Sequence, residues 1–330
     1  MNSTRARPIA VDAMGGDEAP QVLIDGAKLA HQQGIGVVLF GDEARIRPHV
    51  GTTGLDIVHC ATAVGMDDPA TAVRQLEDSS MRSAMRSVAR GECGAMVTCG
   101  NTGAALLAAI IELGTLEGVT RPAVMAKLPT IVGRPVFLLD AGASVSARGE
   151  HLVSWALLGA ARAAAGGIRE PKVGVLSNGT EAHKGTPATR QAQEALQDTN
   201  LVVVGNVEPH QVFRGDVDVV VCDGFSGNIL LKTAEAVISL GRERLETVFR
   251  RGPLAKLAGW WVRSALHQTA HALEWEREGA ALLAGVCQPV WIGHGNASAE
   301  AVCAAIRRAH YAEKGNLAAE LATQFARFSP

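Results

Sequence analysis

Six short stretches hold most of the residues able to do chemistry: DAMGGD (12–17), TCGNTGA (98–104), DAGASV (140–145), SNGTEAHKG (177–185), DGFSGN (223–228) and GHGNAS (293–298). Each joins glycine to Asn, Asp, Ser or Thr, and any one alone reads equally well as an ordinary turn. As a set they point further, because glycine-rich turns that open into helices aim backbone N–H groups and a helix N-terminus at an anion. In the second stretch Gly100, Asn101, Thr102 and Gly103 form a Gly-x-x-Gly turn with two side-chain donors. It has neither the Lys-Ser/Thr of a nucleotide P-loop nor the G-x-G-x-x-G of a dinucleotide site, so ATP and NAD are disfavoured and phosphate is the natural guest.

The remaining stretches add charge and donors. Lys184, between His183 and Gly185, is a compact cation suited to phosphate, or else a plain surface lysine. Asp223 and Gly227 precede Asn228, whose amide sits in the first turn of a helix where it faces an oxygen anion, with Lys232 one turn on. His294 lies between two glycines and is a proton-transfer group, a donor to a developing oxyanion, or a turn histidine. Asp12 and Asp17, flanking Gly15 and Gly16, and Asp140 are expected to order their loops by accepting backbone N–H bonds.

Positioning such loops requires strands that end where they begin. Runs such as IAVDA (9–13), AMVT (95–98), VFLLD (136–140), VGVLS (173–177), VDVVVCD (217–223) and PVWIG (289–293) alternate with Ala/Leu-rich amphipathic segments. That alternation predicts an α/β fold with a mostly parallel sheet flanked by helices. Its ligand crevice lies outside the strands' carboxyl ends, where all six loops are expected to converge. Residues 1–330 are read as one compact α/β unit or as two lobes around a central cleft. Residues 241–278 mix basic and large apolar side chains without a strand pattern and are read as an inserted helical hairpin.

The chain has 330 residues, 47% of them hydrophobic, which argues against disorder over most of its length. Its formal net charge of -2 gives no global drive toward nucleic acid or membrane. With no apolar run of membrane-spanning length and no signal-peptide core, a cytoplasmic location is expected. The cysteines, Cys60, Cys93, Cys99, Cys222, Cys287 and Cys303, form no C-x-x-C pair and read as reduced core thiols, so no metal site and no cofactor are expected.

Taken in order, IAVDAMGGDEAP, DSSMRSAM, GNTGA, LEGVTRPA, FLLDAGAS, VGVLSNGTEAHKG, VVGNVE, DVVVCDGFSGNILLKTAE and IGHG closely resemble the PlsX-type phosphate acyltransferase family over about residues 8–310. The resemblance implies transfer of a fatty acyl group from acyl carrier protein to inorganic phosphate, feeding phospholipid synthesis. It also implies an isocitrate-dehydrogenase-like fold shared with phosphotransacetylases, and a homodimer. Departures from the family pattern fall at Leu76, Glu77, Ser144, 279–285, Asn296 and Ala297.

Two surfaces follow from that reading. Acyl carrier proteins are acidic, and Arg82, Arg86 and Arg90 recur every four residues on one helix, so they are expected either to form a docking stripe or to be a solvated face. Leu257, Trp260 and Trp261, with basic neighbours, suit the headgroup boundary of an anionic bilayer or a dimer interface. Peripheral contact with the inner membrane face would pass the product to a membrane glycerol-3-phosphate acyltransferase.

Overall fold

The structure, a computed structural model, describes residues 6–249, Gly252, Trp261 and 279–329. Eleven strands form one sheet: β1 (Ile9–Asp12), β2 (Val37–Gly41), β3 (Asp56–His59), β4 (Ala95–Thr98), β5 (Ala123–Leu128), β6 (Val136–Leu139), β7 (Lys172–Leu176), β8 (Val202–Val207), β9 (Val219–Val221), β10 (Ala281–Ala284) and β11 (Val290–Ile292). Their spatial order is β3-β2-β1-β4-β11-β10-β5-β6-β9-β7-β8. Seven of the ten neighbouring pairs are parallel, so the expected mostly parallel sheet is present.

Ten α-helices accompany them among the described residues: α1 (Gln21–Gln32), α2 (Glu43–Val50), α3 (Ser80–Ala89), α4 (Thr102–Leu113), α5 (Gly149–Ala165), α6 (Pro187–Leu196), α7 (Pro209–Arg214), α8 (Gly224–Phe249), α9 (Ala299–Lys314) and α10 (Leu317–Phe328). Several begin where the sequence supplies a cap. Asn101 accepts from the Ala104 N–H at 3.0 Å, and Thr186, followed by Pro187, accepts from the Thr189 N–H at 3.2 Å. The sheet separates two apolar layers. One holds α1, α5, α9 and α10 against Ile9, Val11, Trp155 and Val219. The other holds α3 and α4 against Met81, Met96, Leu128 and Leu138.

The central antiparallel pairs, β11-β10, β10-β5 and β5-β6, have a consequence for the loops. They reverse chain direction between the two halves of the sheet. The carboxyl ends of β1, β4 and β11 therefore lie at one edge and those of β6, β7 and β9 at the other. The six loops do not converge as a single ring; they form two sets of three, and what joins the sets is a helix.

That helix is α8. It starts after β9, packs on β5 and β6 through its first two turns, and then leaves the body, since only Gly224, Gly227 and Leu231 of its 26 residues are buried. Residues 241–249 of the expected hairpin continue α8 as helix. The rest of the hairpin, Leu257 and Trp260 included, lies outside the described residues, except Gly252 and Trp261. The last helix is docked, because Leu321, Phe325 and Phe328 of α10 bury one face against α5.

Candidate active site

Three close packings build the first loop set. A Cβ on Gly15 would stand 2.7 Å from the Gly100 nitrogen, so DAMGGD lies directly on TCGNTGA. The Asp17 N–H donates to the Gly295 carbonyl at 2.8 Å, and Gly16 (φ +115) faces the same carbonyl. The Gly293 N–H donates to Thr98 O at 2.8 Å, holding GHGNAS to the end of β4. Asp12 organises this set from within. Its carboxylate accepts from Ser80 Oγ (2.7 Å), Thr98 Oγ1 (2.9 Å) and the Met14 N–H (3.3 Å), while full burial pushes its pKa up against those bonds. Asp12 orders loops, as expected.

Asn101 takes a different part from a ligand donor. Its Oδ1 caps α4, and its Nδ2 donates to Met66 O (3.2 Å) and Asp68 O (2.9 Å), so the amide straps the 66–68 turn. Thr102, the first residue of α4, is the member of this turn that lines the cleft.

The second set is equally compact. Asp140 Oδ1 accepts from the N–H groups of Val124 (3.0 Å), Gly142 (3.1 Å) and Ala143 (2.9 Å). Burial pushes its pKa up despite these bonds. Asp223 accepts from the Ser226 N–H at 2.8 Å and Ser226 Oγ at 3.0 Å, fixing the start of α8. A Cβ on Gly227 would lie 1.9 Å from the Asp140 carbonyl oxygen, which shows how tightly that helix start is seated on the β6 loop. Asn228 then lies over Gly142, its side chain 3.5 Å from where a Gly142 Cβ would be. Lys184 belongs to the neighbouring loop after β7, which is adjacent to β9 in the sheet; neither Lys184 nor DAMGGD lines the cleft.

The cleft itself is a cavity of ≈ 280 Å³ over the central strands. It gathers Thr102, Gly293 and His294 from the first set with Gly142, Asn228 and Lys232 from the second. Glu235 of α8 ties them, its carboxylate 2.7 Å from Lys232 Nζ and 3.9 Å from His294 Nε2. The other wall carries Lys127, Arg162 and Arg308, with Arg162 5.3 Å over the Phe137 ring and Arg308 6.0 Å over the Trp291 ring. Among the described lining residues are Lys127, Arg162, Lys232 and Arg308 and the carboxylate of Glu235, a polar set in which Lys232 and Glu235 are paired.

The sequence reading missed Glu235, Lys127, Arg162 and Arg308. Only Glu235 leaves a local trace: Lys232 and Glu235 stand three apart in KTAE, which puts both on one helix face.

The arginine stripe is largely spent inside the fold. Arg82 is 8% exposed and donates to Glu112 of α4 at 2.7 Å; Arg86 donates to the same carboxylate at 3.2 Å and lies 3.8 Å from Asp78. Arg90 remains exposed. Burial alone would raise the Glu112 pKa, yet the hydrogen bonds and charges of Arg86 and Arg82 together hold it below its ordinary value. A carboxylate depressed in the folded state adds stability above its unfolded pKa and loses it as pH falls through the folded one. Relative to Glu112→Gln, the natural protein should thus lose stability as pH drops below about 4.5, a loss readable as a converging pair of urea midpoints. At neutral pH the variant should be less stable by about 2 kcal/mol.

All six cysteines are free thiols; five are buried, and burial pushes Cys99 up to about 12, leaving it unreactive. No group of three or more His, Cys, Asp or Glu among the described residues could hold a metal ion. No helix of the described residues is long and apolar enough to cross a membrane.

Phosphate acyltransferase of Anaeromyxobacter sp. (strain K) is 41% identical over 323 residues, covering 96% of this chain and 89% of that one. Phosphate acyltransferase of Streptococcus sanguinis (strain SK36) is 39% identical over 310 residues, covering 92% and 93%. Among solved structures, a phosphotransacetylase from Streptococcus pyogenes superposes with a TM-score of 0.57 at 17% identity, over 93% of this chain and 94% of that one, and so shares the fold. Residues 8–320 match the family described as fatty acid synthesis protein, and the chain belongs to that family, the PlsX-type phosphate acyltransferases.

Proposed function

We propose that this enzyme takes a fatty acyl group from acyl carrier protein and places it on inorganic phosphate. The observation that carries the reading is the polar cleft flanked by the helix starts at Thr102 and Asn228, in a chain about 40% identical to phosphate acyltransferases. A phosphate oxygen attacks the thioester carbonyl carbon, the carbonyl oxygen takes the negative charge, and the carbon–sulfur bond then breaks to release the carrier thiolate. No covalent enzyme intermediate is needed, because phosphate held in line is a competent nucleophile.

In this reading Lys232 and the α4 start at Thr102 hold phosphate from the cleft wall and Lys184 joins them from the neighbouring loop after β7, with Gly100, Asn101, Gly103, Asp12, Gly15, Gly16, Asp17, Asp140, Asp223 and Gly227 fixing the loops. Asn228 donates to the developing oxyanion, and His294, beside Glu235, protonates the departing thiolate. The discriminating experiment offers one acyl chain on acyl carrier protein or on coenzyme A. Higher kcat/KM with the carrier protein supports the proposal; preference for coenzyme A means a phosphotransacetylase-like reaction.

Two partners accompany this activity. The projecting part of α8 exposes Val237, Leu240, Leu245 and Val248, a face suited to a second copy in a homodimer. Trp261 is 80% exposed, which suits peripheral contact with an anionic membrane and transfer of the product to a membrane acyltransferase. Changing Trp260 and Trp261 together to alanine should lower binding to anionic vesicles about tenfold in a flotation assay, while transfer in solution is retained. Unchanged flotation would remove the membrane role.

A further inference from the structure

We infer that Asn206 is a positioning residue that sets Lys184 for phosphate, and the inference rests on the proposed role of Lys184. Asn206 lies in β8, is 6% exposed, and uses its amide at both ends. Its Nδ2 donates to the Glu181 carbonyl at 2.7 Å and reaches the Lys184 carbonyl at 3.5 Å. Its Oδ1 accepts from Gln193 Nε2 of α6. The amide therefore clamps the backbone of the 177–185 loop to a helix, at Glu181 and in the turn that carries Lys184.

The clamp depends on an irregularity in the strand. β7 and β8 pair in register at Val173 with Val203, but the next pair is Gly174 with Gly205, so Val204 is an extra residue. Alternation would put Val203 and Val207 on one face. The extra residue reverses the parity: Val203 packs in the layer of α6, Val207 in the opposite one, and Asn206 turns toward α6. Gly205, at φ +87, supplies the conformation that the bulge requires. Two further ties hold the loop ends, the Ser177 N–H to Val207 O at 2.9 Å and Arg190 Nη1 to Gly185 O at 2.8 Å. The Lys184 N–H closes a local turn on the Glu181 carbonyl at 3.0 Å, and Asn206, which holds that same carbonyl, is the tether that fixes this turn to the rest of the fold.

Loss of that tether should displace Lys184 without altering the acyl-donor site. Asn206→Ala is expected to raise the KM for inorganic phosphate about tenfold or more and leave the KM for acyl carrier protein thioester within about twofold. Gln193→Ala, which removes only the outer end of the clamp, should move the same constant in the same direction by a few fold, and it decides the matter if Asn206→Ala does not fold. In a Lys184→Ala background, Asn206→Ala should add less than about twofold, because the two act as one unit. Equal changes in both KM values, or multiplicative losses in the double variant, would overturn the positioning role. If Lys184→Ala alone leaves phosphate kinetics unchanged, the proposed role of Lys184 fails instead.

Discussion

Replacing Asn228 by alanine is expected to lower kcat for acyl transfer to phosphate by about 100-fold, with the KM for the acyl donor little changed. The residue lies in the first turn of α8, where the helix's partial positive charge and its own amide face the cleft. Asp223 and Ser226 fix that turn, and Gly142 leaves room for the side chain to lie over the β6 loop. A donor held this way needs no reorganisation as the thioester oxygen becomes an oxyanion, so its loss falls on the transition state and thus on kcat. Steady-state kinetics with both substrates varied separates the cases. An increase confined to either KM would assign Asn228 to ground-state binding.

Gly227→Ala carries the second large effect, on stability as well as rate. The added methyl would meet the Asp140 carbonyl oxygen at 1.9 Å and Cys222 Sγ at 3.1 Å, and backbone on backbone cannot yield as a flexible side chain would. Lifting the helix start off the β6 loop should cost about 3 kcal/mol and lower Tm by about 4 °C. Activity should fall with it, since Asn228 is the next residue. Gly241→Ala provides the control on the same helix: within the protomer no atom lies within 4 Å of its new methyl, and in the monomer the change should stabilise by about 0.5–1 kcal/mol. Equal thermal shifts in the two variants would contradict the seating of α8 on Asp140.

The loop-ordering carboxylates were legible where their chemistry is local: Asp12 and Asp140 accept N–H groups two or three residues on, as their type and place after a strand suggest. Asn101, read as a donor to an anion, instead caps α4 and straps the 66–68 turn, and the hydroxyl partners of Asp12, Ser80 and Thr98, come from distant parts of the chain. Three strands were not legible. β3 is a short, mostly exposed edge that reads DIVH, while β5 (AVMAKL) and β10 (ALLA) have the Ala/Leu content of helix. Missing β5 and β10 hid the antiparallel seam, and with it the division of the loops into two sets. Arg82 illustrates a different limit: a four-residue charge spacing looks the same whether the charges meet solvent or Glu112, and Glu112 comes from another helix. Arg162 and Arg308 enter the cleft for the same reason, through helices far apart in the chain.

Acyl transfer to phosphate is tested most directly by incubating the protein with palmitoyl-acyl carrier protein and radiolabelled inorganic phosphate, then counting both products. The expected result is one acyl phosphate for each carrier thiol released, with no thiol release when phosphate is omitted. Thiol release at the same rate without phosphate, or release without labelled acyl phosphate, would contradict the account.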